Sequence, residues 1–224
     1  MRKLLCKATF FIVVSSMAVA ASKPHVITFG KWTAVKEFVG SGDDKTVDTK
    51  VRPLCENAKL KEYTLGTPHE ITERLFSVRR AVRINDALPQ EAGGSPRWVW
   101  QPGGWLLVDR ATGHIAEASL PDFDPYASSV SWYRDYAAYC GVSDDGRKLE
   151  ALVVQAGKRK AVLKNKIGDG PAGNEAEAAC GEPEWQRNPI RVTFTPKGGD
   201  KQTYTIRGRA AAAAKEEPDD EAEE

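Results

Sequence analysis

Between residues 26 and 207 the apolar runs are short, rich in β-branched and aromatic side chains, and stopped every few residues by Gly, Asp, Asn or Pro. Nowhere in that span does a long segment keep the 3.6-residue period of a helix facing a core. Short runs separated by turn-forming residues specify antiparallel hairpins, because a strand needs only a few residues to cross a sheet and each turn needs a residue tolerant of unusual backbone angles. The pattern therefore predicts an antiparallel all-β meander of short hairpins, propeller-like or a β-sandwich.

The strands expected are Val26–Phe29 and Lys31–Val39, interrupted at Gly30, then Val47–Leu54 and Leu60–Leu65 after a turn at Ser41–Asp44. Arg74–Ile84 follows, then a Gly/Pro-rich loop over Pro89–Pro96. Arg97–Gln101, Trp105–Asp109 and His114–Ala118 read as a meander, with turns at Pro102-Gly103-Gly104 and Ala111-Thr112-Gly113. Ser129–Trp132 and Tyr136–Val142 lead to Asp144-Asp145-Gly146, a strong hairpin signal, and then to Leu149–Gln155 and Arg159–Lys166. A loop spans Gly168–Cys180, with room for one helical turn over Asn174–Ala179, before a last hairpin of Ile190–Thr195 and Gln202–Arg207. Leu149–Gln155 is apolar on both faces toward its end, as in an inner strand between layers. Ile190, Val192 and Phe194 alternate with polar neighbours, as in a half-exposed strand.

The ends of the chain differ from the body. Arg2, Lys3 and Lys7 precede the apolar stretch Ala8–Ala20, and Ala18-Val19-Ala20 places small residues where a signal peptidase reads them. That stretch is shorter than the roughly 20 residues a bilayer-crossing helix needs, so residues 1–20 read as a cleavable signal peptide and the protein as exported, periplasmic or extracellular. Cys6 precedes the apolar stretch, which argues against lipidation there. Residues 210–224 combine alanine with acids and lack apolar side chains to offset the entropy of ordering, so they read as a disordered acidic tail. The net charge of +1 divides into +3 on the leader, −6 on the tail and +4 on the body between them. So small a charge over a single domain at 21–209 is a solvated surface and argues against nucleic acid as a partner. No segment after the leader is long and apolar enough for a transmembrane helix.

Export exposes the mature cysteines Cys55, Cys140 and Cys180 to an oxidising compartment, where a disulfide is permitted. Cys140 ends an apolar strand and Cys180 sits in a loop after the next hairpin, where the chain can fold back. Cys140–Cys180 is therefore the expected pair, with Cys55 left as a small buried or half-buried residue. No cysteine spacing matches a zinc site.

Val130–Gly168 runs as an apolar strand into Asp144-Asp145-Gly146-Arg147-Lys148-Leu149, continues as ALVVQ, turns and ends as KAVLK; Gly104–Ile115 (GWLLVDRATGHI) has a similar rhythm. These segments resemble blades of β-propellers of the WD40-like and Tol-associated type, and the whole resembles an exported bacterial protein with blade-like sheets. The resemblance implies a fold and assigns no site residue, since propellers serve unrelated functions.

Few residues of the sequence offer chemistry. His25, His69 and His114 stand apart from one another, and His69 lies in Pro68-His69-Glu70, a loop signature. Asp122 and Asp124 flank Phe123 like a fragment of a calcium loop, but turn capping is the ordinary use of such residues. No catalytic set, metal cluster or cofactor motif is present in the sequence. Trp98 and Trp100 share one face of a strand, Trp105 begins the next, and Trp132, Tyr136 and Tyr139 are close in sequence. On an exposed sheet face Trp98, Trp100 and Trp105 could stack on a sugar or peptide; in layered sheets such residues ordinarily fill the core. The leading expectation is a non-enzymatic envelope module that binds through a sheet face or its loops. The rivals are a hydrolase acting on envelope polymers through a loop-built site, and an assembly component docking through the acidic tail.

Overall fold

The computed structural model describes residues 25–39, 46–85, 97–170 and 180–207. The expected signal peptide and acidic tail, the turn at Ser41–Asp44, the loop at Pro89–Pro96 and the helical turn at Asn174–Ala179 lie outside them. Among the described residues there are fourteen strands and no helix, so the chain is all-β.

The first seven strands are β1 (Ile27–Phe29), β2 (Thr33–Phe38), β3 (Thr46–Glu56), β4 (Lys59–Glu70), β5 (Leu75–Asn85), β6 (Trp98–Asp109) and β7 (Ile115–Glu117). β1 and β2 follow one edge of β3 on either side of Gly30, whose N–H donates to the Pro53 carbonyl at 2.8 Å. β3 turns into β4 through Asn57-Ala58, both at positive φ, the backbone a two-residue hairpin requires. β4, β5 and β6 pair antiparallel in sequence order, and β6 meets β2 in parallel at Glu37 and Trp100. Because β3 also pairs with β2, the pairings β2-β3-β4-β5-β6-β2 close a ring of five strands, which leaves fewer unpaired edges to template aggregation. β7 adds to β6 beyond the reach of β2.

Two segments depart from the sequence expectation. Pro102-Gly103-Gly104 is not a turn: Arg97–Gln101 and Trp105–Asp109 belong to the single strand β6. Ala81 faces Pro102 and Arg79 faces Trp105, so Arg80 opposes Gly103 and Gly104 together, which is a β-bulge. Glycine is needed there, since a Cβ on Gly103 would lie 2.9 Å from Val82 Cγ2 and 3.0 Å from the Arg80 carbonyl oxygen. Likewise Pro68-His69-Glu70 is not a loop; β4 runs through Gly66 and Pro68 with an irregularity between Leu65 and His69 and resumes pairing at His69.

The second group comprises β8 (Ser131–Tyr133), β9 (Tyr136–Val142), β10 (Lys148–Gln155) and β11 (Ala161–Asp169), an antiparallel meander in that spatial order. It packs on a three-stranded sheet of β12 (Glu184–Gln186), β13 (Arg191–Phe194) and β14 (Gln202–Thr205). The layer between them contains Tyr136, Ala138 and Cys140 of β9, Leu149 and Val153 of β10, and Val192 and Phe194 of β13. The opposite face of β9 and β10 carries Tyr139, Leu152 and Val154, which pack on Leu120, Phe123 and Val130. β10 is therefore buried on both faces, as its sequence indicated. β13 is less exposed than its alternation suggested, because Thr193 is also buried and its hydroxyl meets that of Thr203 at 2.8 Å. β12, too short and polar to be seen in the sequence, covers one edge of β13. The Cys140–Cys180 disulfide joins β9 to the chain beside Pro196, and Cys55 is free and half-buried.

Candidate functional site

The bulge in β6 has a geometric consequence for the site. In a regular strand Trp105 would face away from Trp98 and Trp100, but the extra residue restores the parity. One face of the β5–β6 ladder then carries Asn85, Arg83, Ala81, Arg79, Ser77 and Leu75 opposite Trp98, Trp100, Pro102, Trp105, Leu107 and Asp109. The pairings extend this face sideways, so that one row crosses four strands as His69, Ser77, Leu107 and Ala116.

The second half of the chain covers part of that face. The Trp132 ring lies edge-on to Trp105 at 5.6 Å and stacks on His69 at 5.7 Å. His69 Nε2 donates to the Arg134 carbonyl at 2.7 Å, a bond between the two sheet systems. Arg79 donates through Nη2 to the Pro125 carbonyl. The Arg79 guanidinium and the Glu37 carboxylate share this region; burial pushes the Glu37 pKa up while the charge of Arg79 draws it down, and burial pushes the Arg79 pKa down.

Four buried polar atoms on this face and its cover have no hydrogen-bond partner: Ser77 Oγ, Arg79 Nε, Trp105 Nε1 and Trp132 Nε1. All four can donate. A buried donor without an acceptor costs about 1–3 kcal/mol, so native folds rarely leave several together unless water or a ligand completes them.

On the same face, where Leu107 is the ladder partner of Ser77, lies a cleft of about 380 Å³ whose lining includes none of these four side chains. Leu75, Leu107 and Ala116, on the same ladder face, give it an apolar floor. Asp109, His114 and Glu117 stand on one side, and Lys158 and Arg159 reach it from the turn between β10 and β11. His114 separates it from a second depression of about 300 Å³ beside Lys61 and Glu62.

The carboxylates of the cleft are not equivalent. Asp109 receives Arg74 Nε at 2.7 Å and Nη2 at 2.5 Å, and also accepts from the Ala111 and Thr112 N–H groups. These contacts, the Arg74 hydrogen bond first, hold its carboxyl well below the ordinary carboxylate range. Asp109 is thus a fixed anion that organises the β6–β7 turn. A depressed folded-state pKa stabilises the fold above the unfolded value and loses that contribution as pH falls through it. Asp109→Asn is expected to lower the thermal midpoint at pH 7, with the difference from the native chain shrinking as the pH is taken toward 2; melting curves across that range check it, and a difference independent of pH would contradict it.

The residues singled out in the sequence meet different fates. Trp98 is half exposed, with the Arg83 guanidinium 4.9 Å from its ring centre. Trp100 lies edge-to-face on Tyr63 at 5.0 Å and packs with Val51, Leu65 and Ala81. Trp105 is held against Trp132, while Tyr136 and Tyr139 are core. His25 pairs with Glu56 at 2.7 Å, and Glu56 also takes Lys61. Asp124 caps the N–H groups of Tyr126 and Ala127, and Asp122 pairs with Lys164. No group of three metal-ligating side chains occurs among the described residues.

Sequence reading missed Glu37, Ser77, Arg79, Lys158 and Arg159. A signal for two of them was present: in RLFSVRRAVRI, Ser77 and Arg79 lie on the face opposite Phe76 and Val78, which marks a polar line on a strand flanked by others. Among the described residues, no helix is long and apolar enough to cross a membrane. Comparison with family models, with curated proteins and with solved structures finds no match to this chain.

Proposed function

We propose that this protein is an exported, non-enzymatic module of the cell envelope or its exterior, and that it acts by binding a ligand in the cleft between the β5–β7 face and the β10–β11 turn. The observation that carries the reading is the cleft of about 380 Å³ itself, floored by apolar Leu75, Leu107 and Ala116 and flanked by the exposed Lys158 and Arg159. The leader-like N-terminus supports export, and the Cys140–Cys180 disulfide is compatible with an oxidising compartment.

Filling the cleft tests the reading. Ala116 is partly exposed on its floor, so Ala116→Trp occupies the space without removing a core contact. The native chain is expected to co-sediment with insoluble envelope polymer, and Ala116→Trp to lose most of that binding, roughly tenfold or more in affinity. Equal binding by both would move the site elsewhere, and no binding by either would end the reading.

One observation favours a second reading. Glu117 and His114 face the same cleft and, unlike Asp109, neither is tied to an arginine. They offer a carboxylate and an imidazole for hydrolysis of an envelope polymer. Release of soluble fragments by the native chain and its loss in Glu117→Gln would establish the hydrolase.

A further inference from the structure

We infer that the acidic segment 210–224 of this chain seats on the chain's own edge strand β11, across the turn Lys158-Arg159-Lys160; the contact does not depend on what the cleft binds. Charge comes first. From Ala156 to Ile167 the chain holds five cations, Lys158, Arg159, Lys160, Lys164 and Lys166, and no acid. All five are exposed. Lys164 is taken by Asp122 and Glu150 and Lys166 by Asp169, whereas Lys158, Arg159 and Lys160 form no ion pair with a described residue. β11 ends its sheet, paired with β10 alone, so its other edge is open. A second copy of β11 is a poor partner for that edge, because pairing the two would bring lysines against lysines. An anionic segment meets no such penalty, and residues 210–224 set seven acids against Lys215, a charge of −6.

Position agrees with charge. β12 and β14 flank β13, and each is tied to one edge of the four-stranded sheet. On the β12 side Trp185 Nε1 donates to the Ser131 carbonyl of β8 at 3.2 Å; on the β14 side Gln202 Nε2 donates to the Ile167 carbonyl of β11 at 3.2 Å. The chain therefore leaves β14 on the β11 side of the two layers.

Reach is sufficient. Eight residues, 208–215, separate Arg207 from the first acid, Glu216. Extended, they cover about 26 Å, and β11 from Ile167 back to Lys160 measures about 23 Å. Single ion pairs at a surface are weak, but several act together here on a segment whose short tether supplies an effective concentration in the millimolar range. Lys158 and Arg159 also line the cleft, so the seated segment lies at its rim, and an anionic ligand held by these two side chains must displace it.

Amide spectra of the ¹⁵N-labelled full mature chain test the contact. The comparison is a full-length variant with Glu216→Gln, Glu217→Gln, Asp219→Asn, Asp220→Asn and Glu221→Gln. In about 20 mM salt the signals of Lys158–Lys166 are expected to differ between the two chains, and in about 0.5 M salt, where charges are screened within roughly 5 Å, to coincide. Dilution by about tenfold should leave the native signals in place, since a tethered contact does not depend on protein concentration. Arg159→Ala with Lys160→Ala, two changes on an exposed turn, should move the signals of Glu216–Glu221 toward their high-salt positions. No difference over Lys158–Lys166 at low salt, or a difference confined to other residues, would overturn the inference. Shifts that fade on dilution would assign the contact to the segment of a second copy and overturn it as well. None of these outcomes touches the cleft reading, which Ala116→Trp tests separately.

Discussion

Replacing Cys140 and Cys180 together by alanine is expected to destabilise the protein by about 4 kcal/mol, the chain-entropy value for a loop of this length. The bond closes a 40-residue separation, and both cysteines are buried, at 4% and 5% exposure. The cross-link acts largely on the unfolded chain: with it gone the denatured ensemble expands, so the dependence of stability on denaturant should steepen while the midpoint falls. The folded side contributes too, since Cys140 sits in the layer between β9–β10 and β13, and Cys180 carries the chain onto the three-stranded sheet at Pro196. Urea titrations of the native chain with and without reductant check this. An unchanged midpoint on reduction would mean the bond does not hold the two sheets together.

Phe194→Ala should cost about 3–5 kcal/mol, the range for truncating a fully buried aromatic side chain. Phe194 has 0% exposure, lies edge-on to Tyr204 at 6.0 Å and fills the layer beside Val192. Its strand is four residues long, so few other contacts remain to close the gap left behind. Trp98→Ala is the contrast. Trp98 is larger, but half its surface is already in water, and its loss should cost about 1 kcal/mol or less, as for most exposed positions. Equal costs for the two substitutions would contradict the packing of the two sheets.

Those two side chains show where the sequence could and could not be read. Phe194 belongs to a short alternating run, and the spacing of such runs was enough to specify an all-β chain and the turn at Asp144-Asp145-Gly146. The expected Cys140–Cys180 pair followed from which strand and loop each cysteine occupied. The bulge at Gly103-Gly104 was not legible, because glycine next to proline signals a reversal of direction, and only the partner strand β5 decides that the chain goes straight on. Closure of the ring was also hidden, since the parallel contact of Glu37 with Trp100 joins strands far apart in sequence and leaves no local mark.

The candidate site was less legible still. It is made where Leu75, Leu107 and Ala116 of the β5–β7 face meet the Lys158-Arg159 turn, so no single stretch contains it. Three tryptophans drew attention in the sequence, and none of them lines the cleft; Trp105 is nearest it along the ladder, its indole N–H buried without an acceptor, while Trp98 stands half exposed.

That difference can be measured on the indole N–H resonances of the ¹⁵N-labelled protein. On addition of soluble envelope glycan, the signals of Trp105 and Trp132 should move together, while those of Trp98, in the open, and Trp185, whose Nε1 already donates to the Ser131 carbonyl at 3.2 Å, should stay in place. Movement of Trp98 with Trp105 and Trp132 unmoved would place the ligand on the outer end of the ladder and contradict the cleft.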